Sequence, residues 1–414
     1  MKTKLTAVAA TACAVVLLAA GCAVTPTDDS SSTPDALRIG WLLPQTGPIS
    51  SLGAPQIAAL ELAAKDVAAA GGAAGLEITY TGGDEAGDTA AAGQAVDRML
   101  ADDVSAIIGA GSSSITLSVI DKITGAGVVQ CSGMNTTPAL TGYPDNGLYF
   151  RTVPSDVLQG GVLADRIVAD GGSDVAIIAR SDSYATGLAD ATVDAIEGSG
   201  LNLAARVDYD PAASNLDAEV RQITASNPDS IILFSFDEGA TILQGLIQAG
   251  FGPDKVKLYG TDALPLSSLA ETVDPSNSAV LNGMTFTQAS SGEGSDFTKH
   301  LLTESPDLDT TAFTPYFYDC AILTALAVEK SGSTSSADIA AELVGLTNGD
   351  TECTSFAECK ELLADEKSIA YVGAAGPLQL DDQGEPRTGL YDILQMQSDG
   401  TMTTLETVRR TLGA

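Results

Sequence analysis

The chain has one histidine, His300, and one tryptophan, Trp41. Lysine and arginine number only 20 against 54 aspartates and glutamates, a formal charge of −34. Each shortage closes a class of function. With one histidine, which follows no strand end, a Ser-His-Asp triad has nowhere to assemble. There is no Cys-x2-Cys pair either, so a zinc site has no ligand set and no metal is expected. The acidic surface repels nucleic acid and anionic membranes, but it does not bar a zwitterion, whose net charge is zero. The acids are scattered and read as a solvated surface. No Gly-x4-Gly-Lys-Ser/Thr occurs, and Gly109-Ala110-Gly111 lacks the third glycine of a dinucleotide turn because position 114 is serine. No cofactor is expected, and no acidic pair stands out for acid–base chemistry.

Long apolar runs are confined to the N-terminus. Lys2 and Lys4 precede an apolar run from Ala7 to Ala20, and Leu18-Ala19-Ala20-Gly21-Cys22 matches a lipoprotein processing box. Residues 1–21 therefore read as a signal peptide, with Cys22 left for lipidation; the alternative is an ordinary secretory peptide that contains Cys22. Residues 22–36, rich in Thr, Ser, Asp and Pro, read as a tether. Export fits the remaining cysteines, an even set of Cys131, Cys320, Cys353 and Cys359. Cys353 and Cys359 flank a short loop and form one expected disulfide. Cys131 and Cys320 pair by elimination, or remain two buried thiols.

From Leu37 onward, apolar runs alternate with stretches of helical period. Strands are expected at Leu37–Leu43, Leu76–Tyr80, Val104–Ile108, Gly127–Cys131 and Leu148–Arg151, with helices between them. A second set has strands at Asp174–Ile178, Asn202–Val207, Asp229–Phe234 and Lys255–Tyr259. Two such sets predict an α/β protein with two doubly wound parallel-sheet lobes. The tail from Tyr371 reads as hairpin-like strands added to one lobe. Trp41 reads as core and His300 as surface.

Ligands of open parallel sheets sit beyond the carboxyl ends of the strands. After the third strand comes Gly109-Ala-Gly-Ser-Ser-Ser114 and then a helical pattern, so serine hydroxyls stand beside the free amides of a helix N-terminus. That suits a carboxylate, although a serine there can also simply cap its helix. Other strand ends of the first lobe carry Leu52, Met134 and Thr136. Those of the second carry Tyr184, Phe236 and Asp262, aromatics and a carboxylate that suit an ammonium group. Asp262 can equally cap a helix, and Asp237 and Glu238 read as helix N-terminal acids. Facing lobes of this kind would hold a zwitterion such as an α-amino acid.

The stretch Arg38–Gly53, the serine turn, Asn135–Thr141, Phe150–Gly160, Tyr184–Leu188 and Tyr318–Ala321 follow one another as in a known family. The chain resembles the extracytoplasmic solute-binding proteins of ABC importers of the leucine/isoleucine/valine-binding type. The resemblance implies two lobes, 37–153 plus 288–370 and 154–287 plus 371–414, joined by three crossovers with the ligand cleft between them. It places the carboxylate-binding residues on Ser113, with Ser114 adjacent, and on Thr136. It places a backbone carbonyl on Met134, the ammonium-binding acid on Asp262, and aromatic contacts on Tyr184 and Phe236. Leu52 stands where an aromatic is usual, and Met134 where a small residue is common. The implied protein is not an enzyme. It is anchored outside the membrane by lipid alone, captures a branched-chain or other apolar amino acid, and delivers it to ABC permease and ATPase subunits. The alternatives are a binder of urea, short amides or aromatic acids, or a sensing module acting on a partner protein.

Overall fold

The computed structural model describes residues 35–264, 266–290, 292 and 295–413. The expected signal peptide, Cys22 and the tether up to residue 34 lie outside them. The chain opens with β1 (Leu37–Leu43), α1 (Gly53–Ala69), β2 (Ile78–Asp84), α2 (Thr89–Ala101), β3 (Ala106–Gly109), α3 (Ser113–Gly125), β4 (Val129–Ser132) and β5 (Tyr149–Arg151). These five strands form one parallel sheet in the order β2-β1-β3-β4-β5.

The next run is α4 (Asp156–Ala169), β6 (Asp174–Arg180), α5 (Ser183–Gly198), β7 (Asn202–Tyr209), α6 (Asp217–Ala225), β8 (Ser230–Phe234), α7 (Gly239–Gln248), β9 (Lys257–Thr261), α8 (Leu269–Val273) and β10 (Thr285–Ala289). Then come α9 (Asp296–Glu304), α10 (Thr314–Ser331), α11 (Ser336–Leu346), β11 (Thr351–Cys353), α12 (Phe356–Ala364), β12 (Ile369–Gly373), β13 (Gly376–Pro377), β14 (Thr388–Met396) and β15 (Met402–Thr411). The second sheet runs β15-β14-β10-β9-β8-β6-β7. Its strands β6 to β10 are parallel, while β14 and β15 form an antiparallel hairpin on the edge. The chain leaves the first sheet for the second after β5; after β10 it runs through α9 to α12 and a small third sheet, β11-β12-β13, and it rejoins the second sheet at β14.

The α/β architecture follows from apolar strands that are buried on both faces, as Val175 to Ala179 of β6 are. The most buried helix is α10, apolar around most of its circumference and packed on α1, α11 and α12. Pro315 starts it, where a missing N–H costs nothing, and Gly332 ends it with a φ of 67°.

Three expectations change. The second strand extends through Gly82 and Gly83 to Asp84 rather than ending at Tyr80. A Cβ on Gly82 would collide with the Trp41 indole, and one on Gly83 would collide with Ala95 and Met99. Trp41 is accordingly half-buried over Gly82 rather than fully in the core. Finally, Cys359 lies within α12, so the 353–359 disulfide joins a strand end to a helix, and β11 and β12 were not foreseen. His300 is exposed on α9.

Candidate functional site

The serine turn is held rigid by buried polar side chains. Gly109 has a φ of 121°, and a Cβ there would strike the Leu42 carbonyl. Gln130 Nε2 donates to the Gly109 carbonyl (2.7 Å), and Ser132 Oγ donates to that of Ala110 (2.9 Å). Asn135 Nδ2 donates to the carbonyls of Ala110 (3.0 Å) and Gly111 (2.8 Å), while the Ala110 amide donates to Thr116 Oγ1 (3.1 Å). The Gly111 and Ser112 amides donate to the two oxygens of Glu85, at 2.7 and 3.0 Å. Ser112 occupies the cap position of α3, yet its side chain makes no capping bond. The plain capping role therefore does not apply, and the helix N-terminus keeps free amides.

This turn forms one wall of a narrow cavity between the two sheets. The cavity is lined by Ile49, Leu52, Gly111, Ser112, Ser113, Met134 and Thr136 from the first sheet's loops. Tyr184, Phe236, Asp262, Ala263 and Phe313 complete it. Tyr184 stacks on Phe236 with ring centroids 5.7 Å apart, and its hydroxyl is 2.8 Å from Thr261 Oγ1. Arg180 lies over the Phe236 ring, 4.3 Å from its centroid. Its guanidinium is committed to Asp182 (2.5 Å) and Glu238 (2.7 Å). Among the described lining residues none is basic.

Asp262 is buried with its Oδ2 accepting the Ala289 amide at 2.9 Å. Burial pushes its carboxyl up to about 6, while the Ala289 amide and Gln159 favour the charged form. It therefore remains mostly ionised at neutral pH, a buried negative charge with no basic residue beside it in the cavity wall. The hydroxyl of Thr136 is buried without a hydrogen-bond partner. One wall thus offers amides and hydroxyls, and the other an aromatic pair and a carboxylate.

Asp156, at the start of α4, lies behind this cavity. It is fully buried, neither of its oxygens accepts a hydrogen bond, and burial pushes its carboxyl from 3.8 up to about 8, only partly offset by Thr136 and Arg151 nearby. A group whose pKa is raised by folding binds its proton more tightly in the native state. Its stabilising contribution is complete below the unfolded value and is lost as pH rises through the folded one. Asp156→Asn should therefore gain stability relative to the native protein as pH rises from about 4 to about 8, and level off above that. Urea melts across that range check this; a constant difference would contradict it.

The structure brings Leu52, Ser113, Met134, Thr136, Tyr184, Phe236 and Asp262 together around the one cavity. Ser114 is not among them. One residue along a helix is a rotation of about 100°, which turns Ser114 out of the cavity. Its hydroxyl instead accepts the Ser183 amide at 3.1 Å, beside a second bond from Thr137 Oγ1 to the Ser183 carbonyl at 2.8 Å. Sequence reasoning missed Ile49, Phe313 and, behind the turn, Glu85, and it gave Ser112 only a role in shaping the turn. Phe313 sits at the head of α10 with a φ of 62°, unusual for a bulky residue. The Thr314-Pro315 start of the helix was the available signal for it. Both cysteine pairs are disulfides: Cys131–Cys320 and Cys353–Cys359.

Known proteins resemble the chain in sequence and in fold. A Leu/Ile/Val-binding protein homolog from Brucella melitensis is 27% identical over 221 residues, 52% of this chain and 58% of that protein. The chain thus spans little more than half the length of that curated relative. A leucine-binding protein from Thermotoga maritima superposes with a TM-score of 0.75 at 19% identity, covering 90% of this chain and 99% of the other. A solute-binding protein of an ABC transporter from Rhodopseudomonas palustris, in complex with p-hydroxybenzoic acid, gives 0.75 at 16% identity, with 91% and 98% covered. These likenesses establish the fold. The model of the periplasmic binding protein family matches residues 36–358, and the chain belongs to that family.

Proposed function

We propose that this protein is the lipid-anchored binding component of an ABC importer and captures an α-amino acid with a branched-chain or other apolar side chain. The lobes 37–153 plus 288–370 and 154–287 plus 371–414 close over the ligand by hinge motion. Ser113, the free amides of α3 and Thr136 take the carboxylate, and Asp262 takes the ammonium. Ile49, Leu52, Met134 and Phe313, with the Tyr184–Phe236 stack, surround the side chain. Ser114 acts at the mouth of the cleft. The observation that carries this reading is Asp262, a carboxyl group buried opposite a helix N-terminus with no basic residue in the cavity wall. Export and lipidation at Cys22 place the protein outside the membrane. No helix among the described residues is long and apolar enough to cross a membrane.

The same carboxylate separates this reading from the second one, an aromatic acid held by the Tyr184–Phe236 pair. Such a ligand has no ammonium for Asp262. Thermal-shift screening over amino acids, amides and aromatic acids identifies the ligand, because tight binding raises the melting temperature by mass action. Asp262→Asn and Ser113→Ala should each weaken amino-acid binding by about 1.5–3 kcal/mol, roughly ten- to a hundredfold, by titration calorimetry. If Asp262→Asn leaves the best ligand's affinity unchanged or improves it, the ligand has no ammonium and the aromatic-acid reading replaces this one.

A further inference from the structure

We propose that Glu85 is a positioning residue of the ligand site: its buried carboxylate holds two amides of the serine turn and thereby sets how strongly that turn receives an anionic group. The proposal rests on the reading of the cleft as a carboxylate site. Glu85 directly follows β2 and is fully buried, with its own amide donating to the Leu43 carbonyl at 3.1 Å. Its two oxygens accept the Gly111 and Ser112 amides. Both of those residues line the cavity. The chain thus brings its own anion to the outer end of the turn. The first-turn amides of Ser113 and Ser114, which have no partner within the helix, are left for a ligand.

A ligand carboxylate at Ser113 would put a second negative charge on the same turn. Like charges at one site disfavour each other's ionised form, so the ligand and a proton on Glu85 each favour the binding of the other. The charged groups around Glu85 offer no relief. Asp84 stands beside it on β2, Asp88 heads the next helix, and Asp262 lies across the cavity. The 44–52 loop and the 110–116 turn carry no titratable side chain. Burial and Asp84 already push the Glu85 carboxyl up, to about 7, against the pull of the two amides.

L-Leucine and L-leucinol are the probes. Both carry the ammonium, but only leucine carries the carboxylate, so their affinity ratio cancels the titration of Asp262; Asp156, beside Thr136, adds a slope of its own that persists in Glu85→Gln. In the full chain, calorimetry should show the leucine-to-leucinol ratio rising about three- to tenfold as pH falls from about 8 to about 6. Glu85→Gln should reduce that slope, and Glu85→Asp should keep it. In the ligand-free protein, amide exchange at Gly111 and Ser112 should be slow and should speed up at least about tenfold in Glu85→Ala. Tight leucine binding with a flat ratio in the native protein, an equal slope in Glu85→Gln, or unchanged exchange in Glu85→Ala each overturns the role of Glu85 and leaves the amino-acid reading standing. No binding of either probe overturns both.

Discussion

Arg151→Met is expected to lower the unfolding free energy by about 3–5 kcal/mol, the range for breaking a buried ion pair from one side. Arg151 is fully buried and Glu385 nearly so, with Nη2 and Oε1 2.7 Å apart. The guanidinium also donates through Nη1 to the carbonyls of Asn135 (3.1 Å) and Thr137 (3.0 Å), and through Nη2 to Thr141 Oγ1 (3.0 Å). It therefore ties the loop carrying Met134 and Thr136 to the turn that leads into β14. Methionine fills a similar volume but leaves Glu385 as an unpaired buried charge and strands two carbonyls. Charge rather than packing should dominate the loss. Arg151→Met combined with Glu385→Gln should therefore recover part of it, with a coupling energy of at least about 1 kcal/mol in a double-mutant cycle. Urea unfolding of the four proteins measures this. Additive single effects would mean that the pair is not coupled. The single variant should also weaken the best ligand, because the carbonyls on either side of Thr136 lose their tether.

Much of the fold could be read from the order of apolar runs, because a parallel sheet buries both faces of each strand and leaves plain apolar stretches between helical periods. Leu37–Leu43 is found at its expected bounds. The rule that ligands sit beyond strand ends brought Ser113, Thr136, Tyr184 and Asp262 into view without coordinates. It failed where a strand end was misread. The expected second strand ended at Tyr80, before Gly82-Gly83, so the residues beyond its true end, Asp84 and Glu85, were never considered. The glycines stay in the strand because Trp41 and Met99 fill the space of the missing side chains, a tertiary fact with no local signature. Ser114 failed differently. Its neighbour Ser113 has the same chemistry, and only the helical rotation between them decides which one faces the cavity.

Removing the Cys131–Cys320 disulfide should cost far more than removing Cys353–Cys359. A crosslink restricts the unfolded chain in proportion to the logarithm of the loop it closes. The first pair is separated by 189 residues and the second by 6. On that account the expected losses are about 3–5 kcal/mol for Cys131→Ala with Cys320→Ala, against about 2 kcal/mol for the short loop. The long link also has a position the short one lacks. Cys131 lies in β4, just before Met134 and Thr136, and Cys320 lies in α10, just after Phe313. It joins two walls of the cavity through the core, and both cysteines are buried. Its loss should therefore reduce ligand affinity as well as stability, whereas the 353–359 variant should bind like the native protein. Chemical denaturation of the two double variants, each with calorimetry on the identified ligand, separates the cases. Equal stability losses would show that residual structure, rather than loop length, governs the unfolded chain. A full loss of stability with unchanged affinity would show that the cavity walls are held by packing alone.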